Sequence, residues 1–195
     1  MSKSRAVVVF PTYKEHNQKY VALGHVTVFK GPFKEIKAPF LNGIGGHIER
    51  GETPEEAAHR EFHEEVEVST TTLPTEKLVP IGIVDVLFMP TRKKVELHVF
   101  RKYFPERVTI TPREKRDFES VDWYPMRDVS CRGIGPGGAG ILPSDRFWLP
   151  NFLNSKGFRH AQIEITNQFT VWETGEGDSY RSGKIIISKN LRPSK

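Results

Sequence analysis

Short apolar blocks separated by turn-forming residues recur along this chain and predict β-strands. The predicted strands cover residues 6–10, 19–30, 40–48, 81–88, 96–103, 121–124, 162–172 and 184–188. Turn-forming residues 92–94 lie between two of them, so 81–88 and 96–103 are expected to form a hairpin. The glycine-containing segment 175–178 predicts a second hairpin that closes the sheet.

One stretch has the spacing of a helix instead. Ala58, Phe62 and Val66 recur at every fourth position, which gives one apolar stripe when the chain turns by about 100° per residue. Thr53 can cap the first turn and Glu56 can complete a capping box, with a proline between them at the first helical position. These features predict a helix from 54 to about 66.

A second helix is predicted further along the chain, over residues 147–156. It follows Ser144 and Asp145, either of which can cap a helix. A mixed sheet with two helices predicts the α+β class, with a sandwich in which the helices flank the sheet. The length of 195 residues suits a single domain, 1–195, with one substantial core.

Three carboxylates crowd one flank of the first helix. Glu61, Glu64 and Glu65 fall within an arc of roughly 100° beside the apolar stripe. Clustered hard oxygen ligands are those that Mg²⁺ and Mn²⁺ prefer in proteins. The other interpretation is a solvated acidic helix face. The glycine-rich segment 43–46 before the helix favours a metal site, because a solvated face does not need it.

Composition and charge narrow the class of protein. Hydrophobic residues make up 37% of the chain and charged residues 27%, which is ordinary for a soluble globular protein. The net charge of +5 is modest and spread along the chain, so it indicates attraction for polyanionic small molecules such as nucleotides. Cys131 is the single cysteine, which excludes an internal disulfide and fits the cytoplasm. The apolar run 6–10 is too short for a signal peptide or a membrane span.

The first helix belongs to a longer motif. Gly46 is followed after five residues by Glu52, and after seven more by the run REFHEE at 60–65. This spacing is that of the Nudix box, and the chain resembles the Nudix hydrolases, which split a nucleoside diphosphate linked to another group. The resemblance implies the Nudix fold. Glu67 stands where the family has a glycine that leaves the helix, often with positive φ, so the resemblance implies strained backbone at Glu67. The alternative is that the helix continues through Glu67.

The resemblance also implies which residues act. Family members hold a divalent metal, here Mg²⁺ or Mn²⁺, through glutamates equivalent to Glu61, Glu64 and Glu65, together with the carbonyl of Gly45 or Gly46. The metal neutralises charge on the phosphates and lowers the pKa of an attacking water. One glutamate is the general base, and Glu61 and Glu64 are both candidates.

Two more charged residues have expected roles. Arg60 lies four residues before Glu64, so it is expected to orient that carboxylate by ion pairing, the alternative being a simple surface pair. Glu119 precedes the predicted strand 121–124 and resembles the acidic residue that many Nudix enzymes supply from a loop as an extra metal ligand or base. The alternative for Glu119 is a solvated loop carboxylate.

Two further segments resemble a subfamily, the MutT-like oxidised purine nucleoside triphosphatases. These are residues 40–49, which read FLNGIGGHIE, and 142–150, which read LPSDRFWLP. The resemblance implies that Asn42, Ser144 and Asp145 hydrogen-bond the base, since an amide both donates and accepts. The alternatives are a turn residue at Asn42 and a helix cap at Asp145.

The chain departs from that subfamily at three positions of the base pocket. Leu142 replaces a stacking tryptophan, Ser144 replaces the first of two aspartates, and Val86 replaces an aromatic residue. Phe88 keeps the next alternate aromatic position. A lost aromatic face removes about 1 kcal/mol or more of stacking.

The function expected is a nucleoside triphosphate pyrophosphatase acting on modified purine nucleotides such as 8-oxo-dGTP. A second hypothesis is an enzyme that hydrolyses a dinucleoside polyphosphate, a nucleotide sugar or an RNA cap. A third hypothesis is a nucleotide sensor without catalysis. The intact carboxylate cluster argues against the sensor. No stable nucleic-acid partner and no membrane are expected, and the glycine-rich segment 132–140 is expected to be a surface loop.

Overall fold

A computed structural model describes residues 3–27, 39–69, 77–88, 92–115, 118–129, 139–142, 144–165 and 185–189. The strands are β1 Lys3–Glu15, β2 Gln18–Val26, β3 Phe40–Asn42, β4 Val66–Ser69, β5 Leu78–Phe88, β6 Lys93–Tyr103, β7 Thr109–Pro112, β8 Val121–Pro125, β9 Gly140–Ile141, β10 Arg159–Ile165 and β11 Ile185–Lys189. The helices are α1 Pro54–Glu65 and α2 Asp145–Asn154, with a short 3₁₀ turn at Met126–Asp128.

Nine of these strands form one mixed sheet. Its order is β11-β10-β5-β6-β1-β2-β3-β9, and β8 pairs with β2 off this path. β4 and β7 form a separate antiparallel pair. The predicted α+β sandwich with two helices is confirmed.

β1 explains how one sheet serves two cores. Val8 and Phe10 pack into a cluster that contains Trp148 of α2. Val7 and Val9, which point to the opposite face, pack into a second cluster with α1. The unbroken apolar block 6–10 is therefore a strand buried on both faces, between the two helices.

The predicted start of α1 is confirmed. Thr53 Oγ1 accepts a hydrogen bond from Glu56 N at 3.2 Å, and Glu56 Oε2 accepts one from Thr53 N at 2.8 Å. This capping box satisfies two backbone donors that the first turn leaves without intrahelical partners. Ala58, Phe62 and Val66 are all buried, as the stripe predicts.

The prediction of strained backbone at Glu67 is wrong. The helix ends at Glu65, and Val66 has extended backbone with φ −135° and ψ 153°. Glu67 continues as the second residue of β4, opposite Thr111 of β7. A strand position has negative φ, so β4–β7 pairing removes the need for glycine here.

Both predicted hairpins have the expected partners. β5 and β6 are antiparallel, and Arg92 in their turn has φ 50°. β10 and β11 are antiparallel as well. The segments 28–30, 130–138, 166–184 and 190–195, which include Cys131 and most of the glycine-rich loop, lie outside the described residues.

α2 begins two residues earlier than the sequence predicts. Its first residue is Asp145, and the residue before it, Ser144, occupies the N-cap position without a side-chain cap hydrogen bond. The helix includes Pro150. Among the described residues, no helix is long and apolar enough to cross a membrane.

Candidate active site

Arg60 lies at the centre of the acidic cluster on α1. Its Nε and Nη2 donate to the two carboxylate oxygens of Glu52 at 2.9 and 3.0 Å. Its Nη1 donates to Glu61 Oε1 at 2.9 Å and to Glu64 Oε2 at 3.0 Å. The remaining contact is from Nη2 to the His47 carbonyl at 2.9 Å. The guanidinium therefore links three carboxylates to the loop before α1.

The charge of Arg60 is strongly stabilised in this setting. Its pKa lies well above the ordinary value, chiefly because of the paired hydrogen bonds with Glu52 and then because of those with Glu61 and Glu64. The expected pairing with Glu64 is present. The stronger partner is Glu52, whose pairing with Arg60 the helical spacing alone does not predict. Its fixed place in the motif was the signal that could have identified it.

Of the three carboxylates that Arg60 binds, Glu61 and Glu52 are enclosed and Glu64 is exposed. Their side chains are 14%, 15% and 61% exposed, respectively. Burial raises the pKa of Glu61, and Arg60 only partly offsets that effect. A β-carbon on Gly46 would overlap the Glu61 carboxylate, so a larger residue at this position would displace that carboxylate.

Glu65 joins the same loop from the next turn of α1. Its Oε2 accepts a hydrogen bond from Gly45 N at 2.9 Å. The loop is fixed on its other side as well, because Val7 N donates to the Gly46 carbonyl at 2.9 Å. The structure thus brings Gly45, Gly46, Glu61 and Glu65 together, and Arg60 ties Glu64 to them.

Glu119 lies elsewhere, on the segment that precedes β8. Its carboxylate is 60% exposed, and Oε2 is 3.6 Å from His25 Nδ1 on β2. Its backbone N donates to the His25 carbonyl at 2.9 Å. None of these contacts involves an α1 carboxylate, so the structure places Glu119 beside β2.

Asn42 and Asp145 lie at the edge of the core cluster that α2 covers. β3 and β9 are parallel with Leu41 opposite Ile141, so Asn42 is level with Leu142. Asn42 Oδ1 accepts a hydrogen bond from Gly43 N at 2.9 Å. Gly43 packs so closely on Phe10 that a β-carbon there would overlap the ring.

The Asp145 carboxyl is held by two donors. Oδ1 accepts from Trp148 Nε1 at 3.0 Å and from Ser144 Oγ at 3.2 Å. Burial raises the pKa of Asp145 to about 6, although both hydrogen bonds act against this rise. The Trp148 ring packs edge-on against Phe10 at 6.2 Å between centroids. This chain of contacts connects Asp145 to the Asn42 end of β3.

The remaining predicted base-pocket residues lie on the same side of the sheet. Leu142 is 4% exposed and belongs to the core cluster, and its carbonyl accepts from Asp145 N at 2.9 Å. Ser144 is 6% exposed. Phe88 ends β5 and is half-buried against the cluster, as is Val86.

A family model described as the NUDIX domain matches residues 2–144, which is more than half of the chain. This chain belongs to the NUDIX family. It is a hydrolase of that family, whose members are nucleotide diphosphatases and generally use divalent metals.

Individual Nudix relatives are similar at modest identity. The oxidized purine nucleoside triphosphate hydrolase of Mus musculus is 26% identical over 140 residues, which cover 71% of this chain and 80% of that protein. The crystal structure of the MutT protein from Bacillus halodurans has a TM-score of 0.59 at 16% identity, covering 85% of this chain and 92% of that one. The NUDIX domain of Shewanella oneidensis NrtR, solved with ADP ribose, has a TM-score of 0.54 at 15% identity, with 78% and 87% covered. The two structures show the likeness of the fold.

The donor set of the Nudix box fits a hard divalent cation. The described residues contain no group of three or more His, Cys, Asp or Glu side chains placed as they stand to hold a metal. In the arrangement described, Arg60 holds Glu61 and Glu64, and Gly45 N holds Glu65. A cation beside Glu61 would offset the cost of burying its charge, and carboxylates are the ligands that Mg²⁺ and Mn²⁺ prefer.

Proposed function

We propose that this Nudix hydrolase cleaves a nucleoside triphosphate with a modified purine base, such as 8-oxo-dGTP, to the monophosphate and pyrophosphate. The observation that carries the proposal is the Asp145 carboxyl, which Trp148 Nε1 and Ser144 Oγ hold in place and whose pKa burial raises to about 6. Such a group can accept from a purine edge or donate to it. The mouse relative, an oxidized purine nucleoside triphosphate hydrolase, supports the same substrate class.

On the phosphate side, Glu61, Glu64 and Glu65 would hold Mg²⁺ or Mn²⁺, with the Gly45 or Gly46 carbonyl. When bound, the metal supplies charge neutralisation on the phosphates and acidifies water. Glu61 and Glu64 are the two candidates for general base.

Arg60 acts on that site through its partners. By bonding Glu52, Glu61 and Glu64 at once, it limits the rotamers of the two candidate bases. It also fixes the loop before α1 through the His47 carbonyl. Groups held in this way lose less conformational entropy when substrate binds.

On the base side, Asn42 and Asp145 would read the polar edge of the base. Ser144 donates to Asp145 and so restrains its carboxyl. Phe88 and Leu142 would contribute apolar contacts with the base. Leu142 has no aromatic face for stacking, unlike the tryptophan that it replaces in the MutT-like subfamily.

Product analysis tests the proposal directly. Purified protein is incubated with Mg²⁺ and a panel of nucleoside triphosphates, 8-oxo-dGTP, a dinucleoside polyphosphate, a nucleotide sugar and capped RNA, and the products are separated. Monophosphate plus pyrophosphate from a purine triphosphate is expected. Preferred cleavage of another diphosphate derivative would move the assignment to that substrate, and no turnover of any compound would favour a sensor.

Glu64→Gln is expected to lower the rate to less than about a tenth of wild type, because it keeps the side-chain shape but removes a charge from the proposed metal site. The fold should survive, since Glu64 is 61% exposed. Glu55→Gln, an exposed change on the same helix, is the matched control and should retain full rate. A Glu64→Gln protein with near wild-type rate would contradict the metal role.

A further inference from the structure

The segment that carries Glu119 is docked firmly on β2. His25 N donates to the Ser120 carbonyl at 2.8 Å, and Glu119 N donates to the His25 carbonyl at 2.9 Å. Beside them the Phe118 ring lies so close to Gly24 that a β-carbon would overlap it. The backbone around Glu119 is therefore fixed, whereas its carboxylate is 60% exposed.

The side chain beneath that carboxylate is a buried histidine. His25 is 5% exposed, and its Nδ1 is 3.6 Å from Glu119 Oε2. Its other ring nitrogen, Nε2, is buried and has no hydrogen-bond partner in the described part of the chain. A buried polar atom without a partner costs free energy that an apolar side chain avoids. The neighbours Leu23 and Leu41 are apolar and fully buried, so packing alone does not explain a histidine here.

We propose that His25 is a positioning residue that directs the Glu119 carboxylate for the hydrolytic reaction. The inference rests on the proposed function and on the role expected for Glu119 from its sequence, that of an extra metal ligand or base. A hydrogen on Nδ1 can be donated to the nearby Glu119 carboxylate, which favours that placement of the ring hydrogen. A small rotation of the exposed Glu119 side chain closes 3.6 Å to hydrogen-bond length.

Three substitutions separate the Nδ1 contact from packing. His25→Asn keeps a donor near the Nδ1 position, His25→Gln places its amide near the Nε2 position, and His25→Phe keeps a ring without either nitrogen. For the best substrate of the panel, the Phe and Gln variants should lose about tenfold in kcat with little change in KM, as for other residues that orient ligands. His25→Asn should recover most of that loss. Equal kcat in all three variants and wild type would overturn the proposal.

A double-mutant cycle with Glu119→Gln tests whether His25 acts through Glu119. The tenfold effect of His25→Phe on kcat should vanish once Glu119 is already changed, because no carboxylate remains to be positioned. The same tenfold effect in both backgrounds would overturn the proposal and assign His25 a purely structural role.

The contact itself is measurable in metal-free protein without turnover. Nitrogen-15 NMR of the His25 imidazole should show hydrogen on Nδ1 in wild type, and Glu119→Gln should shift that signal. An unshifted Nδ1 signal would overturn the proposal. If the wild-type protein releases no pyrophosphate from any nucleotide, the proposed function is wrong. The Nδ1 signal still shows whether His25 and Glu119 are in contact.

Discussion

At the scale of single residues, Asn42 and Asp145 each serve local structure as well as the proposed base site. Asn42 Oδ1 accepts from Gly43 N, so the turn role considered from the sequence is real. Asp145 is the first residue of α2, and the N-cap position before it is occupied by Ser144. The Asp145 carboxyl accepts a hydrogen bond from the Trp148 indole. A local role does not exclude binding, because an amide or carboxyl group has further hydrogen-bonding capacity.

Asn42→Ala is expected to weaken binding of the correct nucleotide by roughly 1–3 kcal/mol, because a base left without its partner pays for desolvation. Asn42→Asp is the control for the turn, since its carboxylate still accepts from Gly43 N but has no amide donor. Affinities for the substrate and for pyrimidine triphosphates check this. An equal loss for all nucleotides, or wild-type affinity in Asn42→Asp, would leave Asn42 as a turn residue only.

Asp145 should make stability depend on pH. Its folded-state pKa of about 6 lies above the ordinary 3.8, so the folded protein holds the proton more tightly than the unfolded chain does. That stabilisation is complete below about pH 4 and is lost as the pH rises through about 6.

Asp145→Asn cannot ionise, so at pH 8 it should be more stable than wild type by at most about 3 kcal/mol. At about pH 4 the two proteins should be similar. Urea unfolding at both pH values measures this, with the surface change Asp128→Asn as control. A variant that is equally or less stable than wild type at pH 8 would show that the Asp145 charge is well solvated.

At the scale of elements, the chain follows the Nudix pattern at the start of α1 and departs from it at the strand that follows α1. The capping box starts the helix where the sequence places it. Its end differs from the family pattern, because β4 pairs with β7 directly after Glu65. Arg113 strengthens this junction by donating from Nε to the His63 carbonyl at 2.8 Å and from its backbone N to the Glu65 carbonyl at 2.8 Å.

Glu67→Gly should therefore destabilise the protein by about 0.5–1 kcal/mol, because glycine loses more backbone freedom in a strand than other residues do. Glu67→Ala keeps a β-carbon and removes the same charge, so it isolates the glycine effect. Thermal unfolding of both variants measures the difference. If Glu67→Gly were more stable than Glu67→Ala, the result would indicate that Glu67 has the strained backbone of the family pattern.

At the scale of the whole molecule, the sheet places two chemically different groups around one strand. α1 and its carboxylates lie on the face of β1 that carries Val7 and Val9. α2, with Asp145 at its start, lies on the face that carries Val8 and Phe10. The acidic cluster of α1 and the Asp145 end of α2 therefore lie on opposite faces of β1.

Chelation of divalent metal should abolish turnover but leave the protein folded, because Arg60 and Gly45 N hold the α1 carboxylates in the described structure. Both core clusters consist of apolar side chains. Activity assays and thermal unfolding with EDTA, then with Mg²⁺ or Mn²⁺ restored, check this. Loss of cooperative unfolding in EDTA would show that metal is part of the fold, and full activity in EDTA would contradict a metal-dependent reaction.

The sequence by itself determined the two helices, the hairpin partners and the family. Each rests on short-range signals: the apolar stripe of α1, its capping residues, and motif spacing that places Arg60 and the glutamates within two turns. It also predicted Asn42 and Asp145 as residues that read the base, because their segments resemble the subfamily over continuous runs of residues.

Only the tertiary structure decided what depends on contacts between distant segments. Glu67 is extended because β7, more than 40 residues further on, pairs with it. The bond between Glu52 and Arg60 depends on the folded loop before α1, and the raised pKa of Asp145 depends on a core assembled from β1, β3 and α2. His25 lies under Glu119 because β2 receives the segment before β8. Such pairings and burials are set by packing across the sheet, which local periodicity does not encode.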